Sequence, residues 1–163
     1  MLAAGVSRSH AASHDWDDDL LCAATHVAAV HVESVRVEPE PCAPALRSQQ
    51  ACTCRVAASV RVTRMLAVSS PGSDHPPGPG VAVGRVVNVS IGALGGGGSP
   101  TDVCAGVRAK APSGDVLAAI IAPPGASSDV ALAWWWWPTD RLDDLGDRLR
   151  RSDPAHCPVL LDR

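Results

Sequence analysis

The sequence contains no phenylalanine and no tyrosine, and four of its five tryptophans form a single run, Trp134 to Trp137. Aromatic side chains bury ~150–250 Å² each and dominate the energetics of most cores. Without them the apolar content rests on 26 alanines and 20 valines, which gain less per ordered residue. Composition therefore predicts a weak fold unless the chain is stapled or assembled with a partner. Isoleucine, lysine, asparagine and methionine are scarce as well, seven residues in all against 67 of alanine, glycine, proline and arginine. That tilt follows the codons of GC-rich DNA, and it points to a reading frame shaped by base composition rather than by the needs of a site.

Other absences exclude function classes. The formal charge is −3 and the isoelectric point near 6.0, so the basic footprint of a nucleic-acid binder is missing and no nucleic-acid partner is expected. The longest apolar runs, 116–122 and 130–137, fall short of the ~20 residues that span a bilayer. Met1 to His14 holds no signal-peptide core. A soluble protein, cytoplasmic by default, is the expectation. Glutamate is confined to Glu33, Glu38 and Glu40, and no G-x-S-x-G, H-E-x-x-H or phosphate-loop pattern occurs. No catalytic residue can be nominated, and the chain reads as non-enzymatic.

What remains has local order. A chain of 163 residues suits one domain. Leu20, Leu21, Ala24, Val27 and Ala28 follow an acidic first turn and predict a helix over 16–29. Val30 and Val32 then take one parity and Val35 and Val37 the other, so a strand there needs a bulge near Ser34. Alternation is clearest over 55–68, a length that must bend or break, with Arg64 as the place because it lands on the apolar face. Strands are also predicted over 81–91, 103–109, 116–121 and 130–136. Thr139, early aspartates, late arginines and a Leu142–Leu145–Leu149 stripe predict a helix over 139–151. The expected fold class is α+β: a disordered 1–14, then one small domain over 15–163. That domain is a mainly antiparallel Val-rich sheet with an N-terminal and a C-terminal helix. Disordered loops are expected at 38–54 and in the low-complexity Pro/Gly segments 70–80 and 92–101.

Two groups of residues are candidates for a site. Six cysteines are compatible with disulfides in an oxidising compartment, but the close pair Cys52 and Cys54 also suits a soft transition metal, zinc or copper, if a turn brings the thiols together. Trp134, Trp135, Trp136 and Trp137 would face alternately to opposite sides of a strand, leaving at least two indoles hard to bury. They form a candidate surface for weak contact with a protein, a membrane interface or a sugar. The leading expectation is a product with no assignable biochemical activity and no cofactor. The alternatives are a small metal-binding protein using Cys52 and Cys54, and an interaction module using the tryptophan cluster.

Overall fold

The computed structural model describes residues 16–40, 53–69, 76–78, 80–95, 103–126 and 130–151, and the backbone of 159–161. Helix α1 spans Trp16–Ala23, followed by strands β1 (His26–Pro39), β2 (Thr53–Ser69) and β3 (Val86–Gly95). Next come a short helix α2 (Ala105–Ala109), strands β4 (Gly114–Ile121) and β5 (Leu132–Pro138), a 3-10 turn (Thr139–Arg141), helix α3 (Leu142–Arg151) and strand β6 (Val159–Leu161). The α+β class is as expected. The sheet, however, closes on itself: its order is β1-β4-β5-β3-β2, and β2 pairs again with β1. Five strands thus form a barrel, antiparallel except where β3 runs parallel to β5, and β6 adds to the far end of β2.

Closure explains where the valines go. Alternation along each strand sends one set of side chains inside, where Ala28, Val30, Val32, Val56, Ala58, Val60, Val62, Val87, Val89, Val116, Ala118, Ile120 and Trp134 form one core. The bulge expected near Ser34 is present as a register shift between Val32 and Ser34. It lets Val35 and Val37 pack on the same core as Val30 and Val32 despite their opposite parity. β2 stays continuous over 17 residues and carries a register irregularity where Arg64 was expected to bend or break it. The register slips between Ala29 and Val30 of β1, passing over Thr63, so Arg64 is turned out to solvent.

A second layer covers the outside of β4 and β5. Leu21 of α1, Ala24 just after it, and Leu145 and Leu149 of α3 pack on Val27, Ala67, Leu117, Ala119 and Trp137. Covered on both faces, β4 has five consecutive buried residues, which is why it reads as an unbroken apolar run. The two helices are also tied by charge. Trp137 Nε1 donates to Asp17 at 2.9 Å, Arg141 bridges Asp17 and Asp144, and Arg148 bridges Asp144 and Asp18. Hydrogen bonds from Arg141, then Arg148, hold the Asp144 carboxyl below its usual range, and the Arg141 guanidinium is correspondingly raised.

Several expectations are corrected. α1 stops at Ala23 instead of 29 because Thr25 starts the barrel. Its N–H and hydroxyl donate to Ile120 O, the hydroxyl accepts from Ala122 N–H, and its carbonyl takes the Ser69 amide. Residues 81–85 form a turn, with Gly84 at φ 83°, so β3 begins at Val86. Residues 105–109, expected in a strand, are helical. The loop expected over 38–54 is shortened from both sides by β1 and β2, and 92–95, expected to be disordered, end β3. Residues 1–14, 41–52, 70–75 and 96–101 lie outside the described residues.

Glu40 locks this end of the barrel. Its Oε1 accepts from Arg55 Nε and Nη2 at 3.0 and 2.7 Å, and its Oε2 from Thr53 Oγ1 at 2.9 Å and the Ala93 amide at 2.7 Å. Ala93 sits at φ 59°, beside a register shift between Cys54 and Val56, so the carboxylate anchors a strained corner of β3. A Cβ on Gly92 would lie 2.7 Å from Glu40 Oε1. Gly92→Ala and Glu40→Gln should each cost about 1–3 kcal/mol in urea unfolding, and less than their sum when combined; additive losses would show that the two positions are independent.

The Ala93 amide foremost, then Arg55 and Thr53, lower the Glu40 pKa to about 2 from 4.5. The stability that Glu40 contributes is therefore present above pH 4.5 and is lost as pH falls towards 2. His26, buried with Nδ1 2.9 Å from Thr25 Oγ1, has its pKa lowered by desolvation. Its neutral form is the folded one, so it removes stability as pH falls below 6.5. Unfolding free energy measured from pH 8 to pH 3 should decline in both windows, and His26→Gln should flatten the upper one.

Candidate functional site

The barrel is closed over only a short stretch. β3 and β5 pair at Val89–Leu132 and Ser90–Ala133. Beyond that point β5 follows β4 as far as Pro138, while β3 follows β2 as far as Gly95. The two strands part, and α2 fills the gap by placing Val107 in the barrel core. What remains open is a cleft of about 580 Å³, walled by Leu94 and Gly95 of β3, Gly106 and Val107 of α2, Lys110 at its C-cap, and Trp135 and Trp136 of β5.

The tryptophan run is thereby divided among three duties. Trp134 points inward and is 3% exposed; Trp137 points outward, equally buried beneath α1 and α3. Where at least two indoles were expected to resist burial, Trp135 and Trp136 are half-buried, packed against the outer and the inner cluster respectively. Their rings stack with centroids 5.4 Å apart and planes 22° from parallel, and Trp136 also lies 5.0 Å from Trp134. Mutual contact of this kind is worth about 0.5–1.5 kcal/mol per pair beyond area burial, so the wall is held in shape by the rings themselves. Among the described residues the buried indole N–H of Trp134 has no acceptor.

The cysteines do not assemble as a thiolate pair. Cys54 is joined to Cys104 across 50 positions with Cα atoms 5.7 Å apart, and both side chains are buried. That bond takes the Cys54 sulfur out of the thiolate form a soft metal needs, and Cys52 lies outside the described residues. Cys22 is also disulfide-bonded. Among the described residues no group of three or more potential ligands is placed to hold a metal ion. Instead the bond serves the cleft: Cys54 is paired in register with Leu94 and Cys104 is the N-cap of α2, so it ties the α2 wall to β2. No spacing rule reveals a pairing so distant in sequence, and the position of Lys110 on the cleft wall was likewise not legible there.

Comparison with protein-family models, with curated proteins and with solved structures returns no match for this chain. Among the described residues no helix is long and apolar enough to cross a membrane.

Replacing Cys54 and Cys104 together by alanine should cost about 2–4 kcal/mol in guanidinium unfolding. It should also shift the tryptophan emission of the native state to the red as α2 loosens over Trp135 and Trp136. Native emission unchanged in a destabilised variant would show that the disulfide does not support the cleft.

Proposed function

We propose that this chain is a non-enzymatic binding module and that its site is the cleft walled by Trp135 and Trp136, which takes a small ring-bearing organic molecule. One observation carries the reading: two stacked, half-buried indoles line one opening in the barrel, beside the α2 plug. The cleft volume, about 580 Å³, falls within the ~300–1,000 Å³ of small-molecule sites, and apolar lining with few polar groups is their usual character.

The strand circuit itself supports a binding role by fold-level analogy. A five-stranded Greek-key barrel is the arrangement of OB-type modules, which bind oligonucleotides and oligosaccharides on the face of strands 2 and 3. In this chain that face carries no aromatic residue. Arg55 and Arg61 are occupied by Glu40 and Glu33, and Ser59 by Asn88. Base stacking needs aromatic platforms, and here they stand around the barrel at β5. A second cleft of about 330 Å³, between Arg85, Val86, Asn88, Ala122 and Val130, has no aromatic wall. The Cys54–Cys104 bond supports work in an oxidising compartment, in place of the cytoplasm expected by default.

N-phenyl-1-naphthylamine, a neutral ring probe whose emission rises on leaving water, tests the reading. A saturable 1:1 rise is expected, with quenching of tryptophan emission. Gly95 offers a way to close the cleft without touching the indoles, since a Cβ there meets nothing within 4 Å; Gly95→Phe should abolish binding while leaving the melting temperature unchanged. Equal binding by a folded Gly95→Phe variant would place the site elsewhere.

A further inference from the structure

We infer that the tryptophan cleft selects anionic ligands, a ring system bearing a carboxylate or sulfonate, with Lys110 as the group that reads the charge. The inference rests on the cleft being a ligand site, as proposed above, and adds the chemistry of what enters it.

Lys110 is the sole lysine of the chain, and it stands on the wall of this cleft. It is exposed, at the C-cap of α2, and among the described residues no acidic side chain lines the cleft beside it. The contrast with the other cations is informative. Arg55, Arg61, Arg141 and Arg148 are engaged by carboxylates, so their charge is spent within the fold; among the described residues Lys110, like Arg64 and Arg85, has no carboxylate within salt-bridge distance, and of these three it is Lys110 that stands at the tryptophan cleft. On a chain of formal charge −3 the overall field disfavours anions, so a local cation decides whether one is tolerated. An ammonium at the rim of an apolar, indole-walled cleft is complementary to a molecule with a flat apolar body and one anionic end.

Two probes with the same rings separate charge from stacking: neutral N-phenyl-1-naphthylamine and 8-anilino-1-naphthalenesulfonate, titrated into the full chain at low salt. The sulfonate should bind about fivefold more tightly, the size expected of one solvent-exposed charge pair, and the gap should narrow as salt is raised. Lys110→Met should weaken the sulfonate about fivefold and leave the neutral probe unchanged, while Lys110→Arg should keep the preference. If the neutral probe binds in a manner blocked by Gly95→Phe but the sulfonate gains nothing, or Lys110→Met leaves their ratio intact, anion selection is overturned and the cleft stands. Binding of neither probe to the native protein overturns both.

Discussion

Everything in this structure depends on the short parallel pairing of β3 with β5, where Val89 meets Leu132 and Ser90 meets Ala133. Antiparallel pairing accounts for the other four seams of the barrel, and those strands alone would make an open sheet with β3 and β5 as its edges. Joining the edges has two consequences. It pairs part of two edges that would otherwise be open, and it sets an interior narrow enough that alanine and valine fill it. A composition that predicts weakness in an open fold thus suits this one, because the barrel offers little room inside for larger rings. Trp134 is the one fully buried aromatic residue of the interior core, with Trp136 packed against it.

The same seam makes the candidate site. Since the pairing ends at Ser90–Ala133, the strands diverge, and the chain covers the opening with α2, held by Cys104 to Cys54. Cover is incomplete, so Trp135 and Trp136 keep part of their faces. Outside the barrel, α1 and α3 complete the burial of Trp137, and the Asp17–Arg141–Asp144–Arg148–Asp18 chain fixes the helices against each other. Site and scaffold are therefore consequences of one geometric fact, the place where two strands part.

How much of this was legible in the sequence follows physical lines. Local periodicity carried the bulge near Ser34, an irregularity at Arg64 and the polarity of the C-terminal helix, because each depends on neighbours within one turn or one strand. Where distant contacts decide, it failed. Val103 to Ala109 alternates like a strand, yet its attachment through Cys104 makes it a helical plug. Val81 and Val83 look like the start of β3, but Gly84 turns the chain there. Glu40 lies among prolines and read as loop, while its four hydrogen-bond donors come from β2 and β3. The tryptophan run was recognisable as unusual. Which indoles are buried depends on helices that cover one face of β5, and parity along a strand cannot report that.

Residue-resolved native-state hydrogen exchange tests barrel closure most directly. Amides of β3 and β5 that bond across the parallel seam near Ser90 and Ala133 should show protection equal to those in the β1–β2 pairing, near Val30 and Val62, and lose it in the same global unfolding event. Free exchange of the seam amides at loop-like rates, with protection retained in β1 and β2, would contradict closure and with it the account of the cleft.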